Sequence, residues 1–182
     1  MSAATLSAAL PTALPTALPT GLPNGPFTGR ECFQDLIRQA LHTAAAQGWQ
    51  QLWLCDANFA DWPLGERAVV DALQHWVSQH RRTQLVLLAA DYEELRRRHP
   101  LFVQWRVRWD HVLNCRKAAY AERQDIPSVL WSPHWVVQRM DCLRHTGVSG
   151  AEPERRVLWR ENLSEWLERK STPGFPASTL GL

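Results

Sequence analysis

Two aspartates stand where an apolar run stops abruptly: Asp56 closes "LWLCD" and Asp91 closes "TQLVLLAAD". Successive parallel strands bring their carboxyl ends to one crevice, which is where ligands bind in an open α/β sheet. Asp56 and Asp91, with Asn58 and Asp61 close by in sequence, form a candidate pocket of oxygen donors that could hold Mg²⁺ and activate a water. That chemistry is metal-dependent hydrolysis of a phosphodiester or of RNA. The plainer alternative makes Asp91 the cap of a following helix and has Asp56 and Asn58 satisfy backbone N–H groups in a turn.

A second constellation is "RRRHPLFVQWRVRWDH", from Arg96 to His111, where arginines alternate with aromatics. Arg106 and Arg108 could neutralise phosphates while Trp105 and Trp109 stack on bases. Arg106, Arg108, His134 and Trp135 make up a candidate binding surface. At helical spacing, however, Leu101, Phe102, Trp105 and Trp109 share one face and Arg106 lies elsewhere, the pattern of an amphipathic helix with a solvated basic face. Neither H-x-x-x-H nor H-E-x-x-H spacing occurs, and Cys32, Cys55, Cys115 and Cys142 form no C-x-x-C pair, so no zinc site is expected. G-x-S-x-G, P-loop and G-x-G-x-x-G signatures are missing as well, and no cofactor is expected.

The elements that must position these residues follow from periodicity. Phe33, Leu36, Ile37, Ala40, Leu41 and Ala44 predict a helix, with Thr28 and Glu31 in capping-box spacing and Gly48 as its stop. The runs ending at Asp56 and Asp91 are too short for helices and predict buried parallel strands. Between them, Ala68, Val69, Ala72, Leu73, Trp76 and Val77 mark a helix expected to start at Asp61, with Pro63 in its first turn. Asp91 and Glu94 suggest a capped helix that breaks at Pro100. "HVLNCR" reads as a third strand, and "PSVLW" and "HWVVQRM" as a hairpin. Ser149 and Glu152 have capping-box spacing before a last helix whose inward face carries Trp159, Leu163, Trp166 and Leu167.

Composition bounds the rest. A chain of 182 residues suits one domain. Twenty basic and 18 acidic side chains leave a formal charge of +2, which gives no overall field that argues for nucleic acid. Residues 1–26, with "ALPTALPTALPTGLP", predict a disordered leader, because proline recurring every four residues blocks helices and ladders. The α/β domain is expected over 27–170, and the tail 171–182 carries Phe175, Leu180 and Leu182, which could pack back onto it. Scattered cysteines point to reduced thiols in a cytoplasmic protein, and no window is long and apolar enough to span a membrane.

The textures of "LWLCDAN", "TQLVLLAAD" and "SVLWSPHWVVQRM", and the order of elements from Phe27 to Lys170, resemble one half of a phospholipase D-like domain. "CDAN" is also similar to the strand-end D-x-N of PIN-like and NYN-like ribonucleases. The first resemblance implies a three-layer α/β/α fold with a mixed, mainly parallel sheet, and pairing of halves as a homodimer. Active members of that family carry H-x-K-x₄-D, but here His134 is followed by Trp135 and Val136, and no His-x-Lys occurs anywhere. The resemblance thus implies the fold without the activity. Two functions are expected from these readings. One is a non-catalytic phospholipase D-like module that binds a protein or small ligand, with nucleic acid and membrane disfavoured as partners. The alternative is a metal-dependent phosphodiesterase or ribonuclease using Asp56 and Asp91.

Overall fold

The computed structural model describes residues 21–118 and 122–176. From the N-terminus, β1 (Gly25–Thr28) leads into α1 (Arg30–Gln47), β2 (Gln51–Cys55), α2 (Arg67–Gln79) and β3 (Gln84–Ala89). There follow α3 (Glu93–Arg98), α4 (Pro100–Arg108) and β4 (Leu113–Ala118), then β5 (Ser128–Trp131), β6 (Val136–Asp141), β7 (Thr146–Gly150), α5 (Pro153–Arg169) and β8 (Ser171–Pro173).

The two apolar runs form the expected parallel pair, β2 beside β3 with Leu54 opposite Leu87, and β4 adds to β3 in parallel. The break at Pro100 also occurs: α3 ends at Arg98 and α4 starts at Pro100, because proline lacks an N–H and pushes the preceding residue out of helical geometry. "SVLW" and "VVQRMD" pair as the expected antiparallel hairpin.

The sheet is otherwise different from the expectation. Among the described residues it has eight strands in the order β1-β7-β6-β5-β2-β3-β4-β8, and every neighbouring pair except β2–β3 and β3–β4 is antiparallel. It is mixed but mostly antiparallel, not mainly parallel. The strands that change the balance are β1, β7 and β8, whose sequences GPFT, TGVSG and STP carry no apolar run. Their neighbours supply the ladder that makes them strands.

Side chains alternate across the sheet as the pleat requires. Leu52, Leu54, Leu85, Leu87, Leu130 and Val137 join Phe33, Ile37, Leu73, Trp76, Phe102 and Trp105 of α1, α2 and α4 in one cluster. Trp53, Cys55, Leu88, Val129, Trp131 and Val136 pack on the other face with Trp159 and Leu163 of α5.

The expected capping boxes are not formed. Gly29, at φ 101°, precedes α1, a conformation open to glycine and closed to the threonine expected to cap it, and Thr28 lies in β1. Helix α2 starts at Arg67, six residues after Asp61, and Ser149 belongs to β7. Glu94 bonds Arg97 and Arg98 and does not return to the N-terminus of α3. The leader also ends earlier than residue 26: Leu22 is buried, and the Pro23 carbonyl accepts bonds from Trp135 Nε1 and Ser149 Oγ. The disorder expected for residues 1–20, and the part of the tail from 177 on, lie outside the described residues. No helix among those described is long and apolar enough to cross a membrane.

Candidate functional site

Asp56 follows the last residue of β2, and its N–H still bonds the Leu88 carbonyl of β3. The chain then turns sharply, and the turn is organised by the aspartate itself: Oδ1 accepts the N–H of Asn58 at 3.1 Å and of Phe59 at 2.9 Å. Phe59 takes φ 59°, and Asn58 Oδ1 accepts the N–H of Ala60. The other carboxylate oxygen faces across the sheet. Oδ2 accepts a bond from Ser128 Oγ of β5 at 2.6 Å and one from Arg139 Nη2 of β6 at 2.9 Å.

Arg139 is the centre of the site. Its Nε donates to Ser128 Oγ, and its Nη1 donates to Asp61 Oδ2 at 3.1 Å and to His145 Nδ1 at 3.2 Å. The guanidinium also lies over the Phe33 ring, 4.6 Å from its centroid. Asp61 in turn meets Arg30 at the start of α1, at 3.2 Å. Two cations and two anions thus alternate as Arg30, Asp61, Arg139 and Asp56. The Asp56 and Arg139 side chains are only 4% and 3% exposed. A buried pair of this kind is tolerated because each polar atom has a partner.

Above this network opens a cavity of about 390 Å³ whose rim includes Asn58, Asp61, Arg123, Gln124, Cys142 and Leu143. Asp91 is not part of its wall. It pairs with Arg123 at 2.6 Å and accepts the Glu93 N–H at the start of α3. Partial burial pushes the thiol of Cys142 up, and nearby Arg139 partly offsets this. Cys55, beside Asp56, is likewise held well up by burial.

Of the residues expected to form the pocket, the structure brings Asp56, Asn58 and Asp61 together and leaves Asp91 aside. The metal-hydrolase alternative fails here on donor chemistry: both oxygens of Asp56 are already occupied by two N–H groups, a hydroxyl and a guanidinium. No cluster of three or more metal-ligating side chains occurs among the described residues. Periodicity alone missed Arg139 and Ser128. The signal was an arginine two residues after Val137, on the same face of a strand that opens with two valines, since a cation there demands a buried anion.

The second candidate surface does not form as expected. Arg106 is 1% exposed and Trp135 is fully buried. Arg106 Nη1 donates to the Phe175 carbonyl at 2.7 Å, while Trp135 packs under the N-terminal segment through Pro23. His134, in the β5–β6 turn, sits against Trp49, and burial together with the neighbouring Arg156 holds its ring below the usual histidine range. Of the four, only Arg108 is exposed.

No known protein family matches the chain, and no curated protein matches it. The fold is similar to that of TrmBL2, described as an archaeal chromatin protein that shows a novel mode of DNA binding. The TM-score is 0.57 at 15% identity, over 86% of this chain and 56% of that one. The present chain therefore spans little more than half the length of that protein, and the likeness is one of fold. It replaces the phospholipase D-like resemblance, and the interaction module and homodimer inferred from that resemblance fall with it. The expectation that nucleic acid is an unlikely partner is corrected too, because a protein of similar fold is described as binding DNA.

Proposed function

We propose that this chain is a DNA-binding module that meets the phosphate backbone through one basic edge. The observation that carries this reading is the placement of Arg81, Arg82 and Arg108. Arg81 and Arg82 lie just before β3, and Arg108 ends α4, just before the turn into β4. Because β3 and β4 run parallel with Leu85 opposite Leu113, both turns emerge at the same edge of the sheet. The Leu85 N–H bonds the Val112 carbonyl there, and Trp109 Nε1 ties the end of α4 to Gln74 of α2. All three arginines are exposed, and none takes part in an ion pair among the described residues. Exposed His111 adds a donor, and Asp110 is the carboxylate among them.

Unpaired arginines fit phosphate contacts, since such contacts release counterions from DNA and need no sequence readout. The net charge of +2 hides this edge because it sums over all 20 basic and 18 acidic side chains of the chain. The fold likeness to a DNA-binding chromatin protein supports the same reading. In this reading the α/β unit of 27–170 also takes in Leu22 and Phe175, with the sheet as the middle of three layers. The two apolar clusters support that layering, and free cysteines fit a cytoplasmic setting. Asp56, Asn58 and Asp61 then serve as the structural wall of the strand-end cavity.

The test is fluorescence anisotropy with a labelled DNA duplex, comparing the natural chain with a triple variant carrying Arg81→Glu, Arg82→Glu and Arg108→Glu. Roughly tenfold or greater weakening is expected, with an unchanged melting temperature. Equal affinity in the two proteins would remove the basic edge from consideration.

A further inference from the structure

The C-terminal segment ends in an unusual piece of packing. After β8 pairs with β4, the Gly174 N–H bonds the Cys115 carbonyl and the chain turns inward. A Cβ at Gly174 would lie 2.9 Å from the Lys117 backbone nitrogen, so only glycine permits this approach. Phe175 then adopts φ 49°, a left-handed conformation disfavoured for a bulky side chain. Its ring stacks on Tyr92 with centroids 4.7 Å apart and planes 13° from parallel. Two guanidiniums face the same ring, Arg106 at 3.7 Å from the centroid and Arg96 at 4.8 Å. Tyr92 is anchored beneath, its one hydroxyl proton placed between the carbonyls of Arg116 at 2.7 Å and Leu87 at 3.0 Å.

We propose that Tyr92, Arg96 and Arg106 form a nucleotide slot that Phe175 plugs from within. The Phe175 ring stands in for a nucleobase, stacked on a fixed aromatic face and flanked by cations, which is how sequence-tolerant base binding is built. The Phe175 carbonyl stands in for a phosphate or base oxygen, since it already accepts a bond from the buried Arg106. A phosphate oxygen is the stronger acceptor for a guanidinium, so a nucleotide gains a charge-assisted bond where the plug has a neutral one. Lifting the plug also relieves the left-handed backbone at Phe175. The ligand class is a purine nucleotide, either free or at an unpaired end of a nucleic acid strand. The slot uses no residue of the Arg81, Arg82 and Arg108 edge.

The experiment uses the full chain with Phe175→Ala, which opens a ring-sized space, and separately Gly174→Val, which keeps the Phe175 side chain but pushes the segment that carries it off Lys117 and out of the slot. Far-ultraviolet circular dichroism and a cooperative melt establish that each variant is folded. Adenosine 5′-monophosphate at millimolar concentration should raise the melting temperature of both variants by roughly 5 °C, and that of the natural chain by less, while inorganic phosphate does little. An engineered cavity lined by fixed rings accepts a planar guest in this way. Adding Arg106→Gln should abolish the gain. A short oligodeoxyadenylate run in parallel shows which source fits better, and tighter binding of either one supports the slot. Absence of a shift in whichever variants fold, or an equal shift with phosphate alone, overturns the proposal. Because free nucleotide does not require the basic edge, loss of duplex binding in the triple arginine variant leaves this result independent.

Discussion

Arg139 and Asp56 are 83 residues apart in the chain and 2.9 Å apart in the fold, with both side chains almost wholly buried. This contact ties the end of a parallel strand to the middle of an antiparallel hairpin, at the line where the two kinds of pairing meet. Ser128 bonds both partners, so the unit is a triad whose members hold one another's geometry. It explains why a carboxylate sits at the mouth of a cavity without being free to act there.

Removal of one member should be more damaging than removal of both. Arg139→Met leaves Asp56 as a buried anion short of a partner, and a loss of about 3–5 kcal/mol is expected. Combining it with Asp56→Asn should recover part of that loss, because the uncompensated charge is gone. Urea unfolding of the two single variants and the double variant checks this. Strict additivity would show that the two side chains are not coupled.

Acid sensitivity should be traceable to His99. Its Nε2 lies 2.8 Å from the Phe59 carbonyl, so the ring donates there, and burial holds its pKa below the ordinary range. The folded state therefore disfavours the proton that the unfolded chain takes up near pH 6.5, at about the ordinary histidine value. Stability should be full above that pH and fall as pH drops from there toward the lowered folded value. His134 is shifted in the same direction, so His99→Gln should flatten the profile between pH 7 and 5 without levelling it. An unchanged slope in denaturant titrations across that range would assign the acid loss elsewhere.

Gly147 is fixed by close approach. A Cβ there would fall 2.1 Å from the Gln138 carbonyl and 2.6 Å from Phe27 Cζ, between β6 and β1. Gly147→Ala should therefore cost roughly 1–3 kcal/mol through overpacking. Phe27→Leu in the same chain should return some of it by making room. Thermal unfolding of the single and paired variants measures the effect.

Salt dependence supplies an independent check on the basic edge. Each arginine that meets a phosphate contributes about 0.9 to the slope of log affinity against log salt on duplex DNA. Neutralising Arg82 or Arg108 singly, to Gln, should lower the slope by roughly that amount each. Neutralising Arg116 should not, because its guanidinium is engaged by Ser171 and Leu167. Equal slopes for all the variants would show that the contacts lie on another face.

What the sequence by itself determined about this protein is whatever depends on neighbours within a turn or two along the chain. The apolar faces of α1 and α2, the buried runs of β2 and β3, the stop at Gly48 and the break at Pro100 all follow from local periodicity and sterics, and all are present. Tertiary structure decided the rest. Thr28 and Ser149, both plausible caps by spacing, became strand residues because β1 and β7 offered each other a ladder. Arg106 and Trp135 read as surface groups, yet lie inside because the tail and the N-terminal segment close over them. Asp56 has the composition of a catalytic residue and the surroundings of a structural one. Its cationic partner enters from a strand 83 residues away, and only the folded chain brings them within reach.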